Sequence, residues 1–401
     1  MDWKKKFLEI SEDFPEPDKN KKFLAGFNAN IDRVLSAEKI IDSEIRPKDL
    51  ERITKKDDLK SVLAYCKEKG KNKEIDIERF KPNIEDGKTF IGGQGGIVST
   101  FASRIGANSA IYAPFISKRL SRAMDDEVLV PVTEKKFKNV SDAVNSGKTK
   151  ENLIFEFKGD KTGRLILSDS LKGFEPVFME DEAFIKFIDE EIDRFFFSGF
   201  HHISEEMVEK ARNQLKTLNT PIHFEYVYTD GKKSKKIVEE ILPCVESLGC
   251  DGDEMNQIAE SIGLEPPESL NEHVDTMIKI MEKTGLSRFH IHTYEFHICV
   301  FRKDYGISPE KVLDSMVFGE LCAIASAEKG DIPFIKDVRN FDFEEKHLKG
   351  VGKIEDFSET GIVSLNEFSI VAIPIIIHEN PERLVGLGDI ISSGGFFSEI
   401  F

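Results

Sequence analysis

The chain has 401 residues, 40 % hydrophobic and 10 % aromatic, which is enough for two folded domains and excludes a disordered protein. Its formal net charge of −17 argues against nucleic-acid and anionic-membrane partners, because its field repels phosphates. The five cysteines form no Cys-x-x-Cys pair, so no disulfide framework or zinc site is expected, and a reducing cytoplasm is favoured. No apolar run reaches the roughly 18 residues of a membrane span.

A short predicted strand near the N-terminus ends in polar residues. The apolar stretch over 22–26 is followed by Asn30 and Asp32. The carboxyl ends of strands are where open α/β sheets bind ligands, and amide and carboxylate groups suit sugar hydroxyls. A turn rich in Asn and Asp is the alternative explanation.

Two charged regions differ from the rest and predict a small second domain, or lid. Residues 36–90 are rich in Lys, Asp and Glu, with a helix predicted over 56–69. Alternation over 152–157 and 164–168 predicts a hairpin that returns to this lid. Lys158, Lys161 and Arg164 form a basic cluster there that could bind a phosphate, although lysines at a hairpin tip often serve solubility alone.

A glycine-rich loop precedes the next helix. Gly93 and Gln94 stand among four glycines over 91–96, which lets the backbone approach a ligand closely. Apolar residues after the loop favour a packed helix over a mobile surface loop. We therefore expect Gly93 and Gln94 to contact the substrate.

From about residue 190 strands and helices alternate, which predicts a parallel sheet with helices on both faces. Strands are predicted over 194–198, 221–228, 289–293 and 297–301, and helices over 205–218, 232–242, 253–262, 270–283 and 308–327.

Acidic residues at the ends of these elements suggest a metal site. Glu225 follows His223 on one face of a strand, and Asp251 and Glu254 stand at a helix start. These three carboxylates could hold Mg²⁺ directly or through water, since Mg²⁺ keeps several waters and uses substrate phosphates as ligands. For Asp251 and Glu254, helix capping is the equally plain alternative. His290 and His292 are predicted to be packed or hydrogen-bonded residues of a strand rather than metal ligands.

The most informative stretch follows an apolar run over 368–377. Gly386, Leu387 and Gly388 form a turn into a helix, where unpaired backbone N–H groups can bind a phosphate. Asp389, beside that anion site, could accept a proton from a substrate hydroxyl. These are the parts of a phosphoryl-transfer site. An ordinary strand-to-helix turn with an Asp cap is the alternative.

Taken in order, these pieces resemble the ADP-dependent glucokinase and phosphofructokinase family, within the ribokinase-like superfamily. The segment 26–32 resembles the family's sugar-binding strand end, 91–96 its glycine loop, and 164–166 the segment whose Arg meets the transferred phosphate. His223–Glu225 matches its His-x-Glu motif, and Gly386–Asp389 its Gly-x-Gly-Asp motif, whose Asp is the catalytic base. Asp251 departs from the pattern, because the family has Asn there.

The resemblance implies a large Rossmann-like domain with a central, mostly parallel sheet, plus a smaller α/β lid. We expect the large domain to comprise residues 1–35, 91–140 and 176–401, and the lid 36–90 and 141–175. It also implies ADP as phosphoryl donor, with Mg²⁺, and Arg164 and Asp389 as catalytic residues. A monomer or small homo-oligomer that acts on small molecules is expected.

Fructose 6-phosphate is the expected acceptor. Fructose 6-phosphate needs a cationic pocket, for which Lys158, Lys161 and Lys88 are candidates. Glucose is the alternative acceptor. The change at Asp251 also leaves open a sugar- or nucleotide-binding relative that has lost catalysis.

Overall fold

The protein is described from a computed structural model, which covers residues 1–41, 46–77, 87–157, 163–169, 174–339 and 341–401. Across these ranges no helix is both long and apolar enough to cross a membrane. The strands are β1 (Lys22–Gly26), β2 (Asn30–Ser36), β3 (Lys73–Ile77), β4 (Lys88–Gly92), β5 (Asn108–Tyr112), β6 (Leu129–Val132), β7 (Lys136–Asn139), β8 (Glu151–Phe157), β9 (Gly163–Asp169), β10 (Arg194–Phe197), β11 (Ile222–Glu225), β12 (Ser247–Asp251), β13 (Arg288–His292), β14 (Phe296–Arg302), β15 (Leu348–Lys349), β16 (Ile362–Leu365) and β17 (Phe368–Ile376).

The helices alternate with these strands over much of the chain, as the sequence predicts. They are α1 (Trp3–Asp13), α2 (Lys56–Lys69), α3 (Gln94–Arg104), α4 (Lys118–Ala123), α5 (Glu182–Glu191), α6 (Glu205–Leu215), α7 (Gly231–Glu240), α8 (Gly252–Ser261), α9 (Leu270–Thr284), α10 (Pro309–Lys329), α11 (Ile335–Arg339), α12 (Val351–Phe357) and α13 (Leu387–Ser398).

A large, mostly parallel sheet forms the centre of the molecule. Its strands follow the order β15-β17-β14-β13-β12-β11-β10-β1-β5-β6-β7, with β16 also paired to β17. The run from β13 to β6 is parallel, whereas β7, β14, β15, β16 and β17 pair antiparallel. Every residue of β17 is buried, as expected for an apolar strand covered on both faces. The predicted fold class, a mostly parallel sheet flanked by helices with a smaller α/β unit, is confirmed.

The smaller unit has its own sheet and its own core. Its strand order is β3-β9-β8-β2-β4, and α2 packs Leu59, Val62 and Leu63 into a separate apolar cluster. Strand β2, up to Ser36, and strand β4 both belong to this sheet. The predicted domain boundary after residue 35 would therefore separate Ser36 from the rest of β2. The membership of β2 in the small sheet favours a domain boundary just before Asn30.

Strand β12 lies at the middle of the large sheet, yet no strand is predicted there. Its residues, Ser247 to Asp251, include a glycine and no β-branched side chain, so their strand preference is weak. Pairing with β11 on one side and β13 on the other forms the strand. Gly249 is needed at its position, because a Cβ there would lie 2.1 Å from Glu225 Oε2.

Helix α13 packs almost backbone to backbone against α10. A Cβ on Gly319 of α10 would lie 2.6 Å from the carbonyl oxygen of Ile391, and one on Gly394 would lie 2.9 Å from the Cα of Gly319. Just beyond the end of α13, Glu399 accepts hydrogen bonds at 2.8 Å from Arg288 Nε and at 2.7 Å from Arg194 Nη1. Helix α13 is therefore fixed at its C-terminal end and along its length.

Candidate active site

The carboxyl ends of the parallel strands meet the starts of two helices at the edge of the large sheet next to the small sheet. Strands β1, β11, β12 and β13 end there, and helices α3 and α13 begin there. This edge is where sheets of this kind bind ligands. The sequence-predicted residues that come together at this edge are Asn30, Asp32, Gly93, Gln94, Arg164, Glu225, Asp251, Glu254, Gly386, Leu387, Gly388 and Asp389.

The start of α13 has the backbone geometry that the predicted phosphate site requires. Gly386 caps the helix with a φ of 81°, which favours glycine, and Ile390 N donates to its carbonyl at 3.1 Å. The preceding N–H groups, from Leu387 and Gly388, belong to the first turn and have no acceptor within the helix. Asp389 lies inside this first turn rather than before it. Phosphate oxygens at this helix start would meet both N–H groups and the positive end of the helix dipole.

Asp389 is partly buried, and its pKa is raised to about 7. Burial is the largest cause, and the nearby Glu225 carboxylate adds to it. His292, a hydrogen bond from Gln94 and the charge of Arg164 act in the opposite direction. A carboxylate with a near-neutral pKa is well matched to accepting a proton from a hydroxyl.

The backbone at the start of α3 lies close to the chain that follows β1. Gly93 has a φ of 70°, and a Cβ there would lie 2.7 Å from both Asn28 O and Asn30 Oδ1. Gly96 N donates to Asn28 O at 3.1 Å. The glycines therefore allow the start of α3 to approach the chain between β1 and β2 closely, and they bring Gln94 up to Asp389. The approach of this backbone to a ligand stays a prediction.

Three side-chain amide oxygens in this region are buried without a hydrogen-bond partner: Asn28 Oδ1, Asn30 Oδ1 and Gln94 Oε1. Asn30 Nδ2 donates to Asp32 Oδ1 at 2.6 Å, which orients its amide. Buried polar atoms in folded proteins nearly always have partners, so three orphan acceptors together indicate a ligand that supplies donors. Several hydroxyl groups on one molecule would satisfy them.

Positive charge gathers around Asp32. Its pKa is raised to about 6 by burial, and the charges of Arg383, Lys150 and Arg164 oppose that rise. Arg383 and Lys150 are themselves buried, and neither is predicted from the sequence. Arg164 Nη1 donates to the carbonyl oxygen of Leu384 at 3.3 Å, so the small sheet reaches the segment before α13.

Glu225 is held between two histidines. His223 Nε2 lies 3.1 Å from Glu225 Oε2, and His292 Nε2 lies 3.2 Å from Oε1. These two hydrogen bonds outweigh burial and lower the pKa of Glu225 to about 2. His292, predicted as a packed strand residue, also touches the phosphate turn, because a Cβ on Gly388 would lie 2.7 Å from its Cε1.

Asp251 and Glu254 form a capping box at the start of α8. Glu254 N donates to Asp251 Oδ1, and Asp251 N donates to Glu254 Oε2, both at 2.8 Å. Glu254 Oε1 also accepts from Tyr228 N at 3.2 Å. The alternative interpretation, that these residues cap the helix, is thus confirmed. Their role as metal ligands stays a hypothesis. Within the described ranges no group of three His, Cys, Asp or Glu side chains has metal-binding geometry.

The chemistry of these carboxylates nevertheless fits a hydrated Mg²⁺. Burial raises the pKa of Glu254 well above its usual range, and the charges of Asp251 and Glu225 raise it further. Carboxylates that lie close together away from water repel one another, and a bound cation would relieve this repulsion. Mg²⁺ usually keeps water molecules between itself and some of its protein partners.

The structure tests only one of the three lysines proposed for a sugar phosphate. Lys158 and Lys161 lie outside the described residues, and Lys88 is exposed on β4. In the described part of the chain, the buried cations near Asp32 are instead Arg383 and Lys150. No short motif marks either residue, so only the fold reveals them.

A partly buried carboxylate with a near-neutral pKa, at a helix start whose N–H groups could bind an anion and near unpartnered amide oxygens, is typical of phosphotransferases that act on a hydroxyl group. Residues 21–398 match the family model for the conserved region of ADP-specific phosphofructokinase and glucokinase. The chain belongs to this family, as the resemblance indicates.

Known relatives match along nearly their whole length. The chain is 27 % identical to an ADP-specific phosphofructokinase of Pyrococcus horikoshii, over 93 % of this chain and 96 % of that protein. It is 26 % identical to an ADP-dependent glucose/glucosamine kinase of Pyrococcus furiosus, over 95 % of this chain and 94 % of that protein. The crystal structure of a hypothetical ADP-dependent phosphofructokinase from Pyrococcus horikoshii superimposes with a TM-score of 0.79 at 25 % identity, covering 97 % of this chain and 99 % of that one.

The same fold occurs in a solved ligand complex. An ADP-dependent kinase determined with fructose 6-phosphate and ADPβS matches with a TM-score of 0.81, covering 99 % of this chain and 98 % of that one. Its sequence identity of 23 % supports a shared fold and no more.

Proposed function

We propose that the protein is an ADP-dependent sugar kinase that transfers the β-phosphate of ADP to a sugar hydroxyl and releases AMP. One observation carries the proposal: Asp389, with a pKa near 7, lies in the first turn of α13 and is hydrogen-bonded by Gln94. Family membership and relatives named as ADP-dependent kinases support ADP as the donor.

Each group has a defined task in the reaction. The β-phosphate of ADP lies against the N–H groups of Leu387 and Gly388, which stabilise its charge. The carboxylate of Asp389 takes the proton of the attacking hydroxyl as its oxygen forms a bond to phosphorus. The bond from phosphorus to the AMP oxygen breaks at the same time, and Arg164 neutralises the charge on the transferring group.

The amide oxygens hold the acceptor for this attack. Asn30 and Gln94 accept hydrogen bonds from sugar hydroxyls through oxygens that otherwise have no partner, and Asp32 does the same beside Asn30. Glu225 and Glu254, with Asp251, would hold Mg²⁺. When bound, Mg²⁺ neutralises charge on the phosphates of the donor.

Fructose 6-phosphate is the acceptor we favour. A phosphorylated sugar requires cations near its hydroxyl-binding groups, and Arg383 and Lys150 are buried beside Asp32. The named relatives include ADP-specific phosphofructokinases from several archaea. Glucose is the second candidate, because a glucose/glucosamine kinase matches the chain at nearly the same identity.

The test is a phosphoryl-transfer panel with Mg²⁺ that crosses ADP and ATP with fructose 6-phosphate, fructose, glucose and ribose. AMP that forms only with ADP and fructose 6-phosphate supports the proposal in full. Transfer to glucose alone would support ADP-dependent phosphoryl transfer but would show that the acceptor is glucose. Nucleotide binding by calorimetry without transfer to any sugar contradicts the proposal and indicates a binding protein on this scaffold.

A further inference from the structure

Glu225 lies at one end of a buried chain of hydrogen bonds. His223 Nε2 lies 3.1 Å from Glu225 Oε2, and His223 Nδ1 lies 2.8 Å from Ser247 Oγ. Arg288 Nη1 donates to the same Ser247 Oγ at 3.1 Å, and Arg288 Nε donates to Glu399 Oε1 at 2.8 Å. All five side chains are buried. The chain therefore connects the end of α13 with the active site through the interior of the protein.

The register of three neighbouring strands builds this chain. His223 on β11 pairs with Ser247 on β12, and Ser247 pairs with Arg288 on β13. Their side chains therefore stand in one row across the parallel sheet, and Glu225, two residues after His223, lies on the same face. Side chains that are carried by paired strands are held more precisely than side chains on loops. The row is thus a rigid support for Glu225.

The surroundings of His223 leave its ring little freedom. Its ring centroid lies 5.2 Å from that of Phe196 and 5.0 Å from that of Phe396, with angles of 25° and 31° between the ring planes. Gly249 provides the space for its bond to Glu225, because a Cβ at Gly249 would lie 2.5 Å from His223 Nε2. The packing therefore directs one ring nitrogen to Ser247 and the other to Glu225.

The donors and acceptors determine where the hydrogens of this chain lie. A guanidinium group carries donors only, so Ser247 Oγ accepts from Arg288. The single hydrogen of the Ser247 hydroxyl needs an acceptor, and among the hydrogen bonds of the described residues that acceptor is His223 Nδ1. When one nitrogen of a neutral imidazole accepts, the other carries the proton. His223 Nε2 therefore donates to Glu225, as a carboxylate that binds a metal requires.

We propose that Ser247 is a positioning residue for Mg²⁺ binding, because its hydroxyl, held by Arg288, directs the Nε2 proton of His223 to Glu225. The inference rests on the proposed function and extends its metal site to side chains inside the sheet. His292 holds the other oxygen of Glu225, so the carboxylate is oriented from two sides. Each oxygen keeps a lone pair for the metal or for a water molecule bound to it.

The first experiment measures how much Mg²⁺ strengthens the binding of ADP. The Kd for ADP is determined by calorimetry with Mg²⁺ and without metal, and the ratio of the two values is the Mg²⁺ effect. Ser247→Ala should leave the metal-free Kd unchanged and reduce the Mg²⁺ effect about 10- to 100-fold, as is usual when a group that orients a metal ligand is lost. An undiminished Mg²⁺ effect in Ser247→Ala would overturn the inference.

Ser109→Ala is the matched control. Ser109 is also a buried serine on a strand of the large sheet, and its hydroxyl donates to the carbonyl oxygen of Ser99 at 2.8 Å. This change should leave the Mg²⁺ effect intact, and an equal reduction there would overturn the inference. Ser247→Thr keeps a hydroxyl group and should restore most of the Mg²⁺ effect. A folded Ser247→Thr protein without any recovery would count against the role of the hydroxyl.

Nitrogen-15 NMR of the metal-free protein tests the direction of the chain. Labelled histidine reports which ring nitrogen carries the proton, and the signals of His223 are those that disappear in His223→Gln. We expect the proton on Nε2 and a hydrogen-bonded acceptor at Nδ1, whose signal should shift to that of an unbonded nitrogen in Ser247→Ala. A proton on Nδ1 would overturn the inference. Because the unaltered Ser247 suffices for this result, it decides the question if Ser247→Ala does not fold.

Failure of this inference differs from failure of the proposed function. If the unaltered protein transfers phosphate to no sugar, the proposed function is contradicted, and the proton position on His223 still decides the direction of the chain. If the unaltered protein transfers phosphate and Ser247→Ala keeps the full Mg²⁺ effect, the proposed function stands and the inference is overturned.

Discussion

Arg164, on strand β9 of the small sheet, donates from Nη1 to the carbonyl oxygen of Leu384 at 3.3 Å. Arg383 donates from Nε to the next carbonyl oxygen, that of Val385, at 2.8 Å. Two arginines therefore hold successive carbonyl groups of the segment that leads into α13. The position of Asp389 depends on the large domain and, through Arg164, on the small sheet as well.

Replacement of Asp389 by Asn should lower kcat by about 10²- to 10⁴-fold, the usual contribution of a general base. Asn has nearly the same shape, so the helix start and the affinity for ADP should be nearly unchanged. Kinetics and calorimetry with ADP measure the two effects separately. Turnover that survives in Asp389→Asn would remove Asp389 from the role of base.

Replacement of His292 by Gln should weaken Mg²⁺ binding. His292 orients Glu225 through one oxygen and packs against Gly388. Residues that orient a metal-binding carboxylate typically contribute about 10- to 100-fold to metal affinity or activity. The Mg²⁺ concentration for half-maximal rate should rise by such a factor, with the thermal midpoint recorded alongside. His273→Gln is the control, because His273 lies on α9 against Phe296 and away from Glu225, and an equal rise there would contradict the assignment.

Gly319→Ala should destabilise the protein by about 2 kcal/mol, because overpacking a tight helix contact typically costs 1–3 kcal/mol. The added Cβ would lie 2.6 Å from the carbonyl oxygen of Ile391 on the helix that carries Asp389. Chemical denaturation measures the free energy of unfolding. Gly352→Ala is the matched control, since nothing lies within 4 Å of a Cβ there. Equal effects of both changes would contradict close packing of α10 on α13.

Glu399→Gln should cost about 3 kcal/mol of stability, because it leaves the buried Arg194 and Arg288 without their counter-charge. Both arginines donate to Glu399, whose side chain is fully buried. Glu190→Gln is the control, since its exposed pair with Lys186 should contribute under about 0.5 kcal/mol. A loss no greater than that of the control would show that Glu399 does not anchor α13.

The difference in the free energy of unfolding between the unaltered protein and Glu399→Gln should depend on pH. The arginines hold the pKa of Glu399 below its usual range despite its burial. A carboxylate with a depressed folded-state pKa stabilises the protein above its unfolded pKa of about 4.3, and this contribution is lost as pH falls through the folded-state value. The stability gap between the unaltered protein and Glu399→Gln should therefore be full at pH 7 and narrow below about pH 4. A gap that widens on acidification would contradict this sign.

The parts of the site that sequence predicts are those carried by short, local signals. Gly386–Asp389 and Gly93–Gln94 combine glycines with one functional side chain at a helix start, and the backbone rules for such turns are strict. The alternation of strands and helices beyond residue 190 likewise predicts the parallel sheet. Each of these depends on neighbours in the chain.

The parts that sequence misses depend on tertiary contacts. Strand β12 forms because two strands enclose it, and its own residues give no strand signal. His292 lies against Glu225 only once β13 and β11 are placed in one sheet. Arg383 and Lys150 are separated by more than half the chain, and their charges meet at Asp32 only in the folded protein.

The central claim is transfer of the β-phosphate of ADP, and isotope labelling tests it most directly. The protein would be incubated with Mg²⁺, fructose 6-phosphate and ADP that carries ³²P in its β-phosphate. We predict that the label moves to the sugar, that unlabelled AMP appears in equal amount, and that Asp389→Asn transfers almost none. Label that stays in ADP, or is released only as inorganic phosphate, would contradict the account.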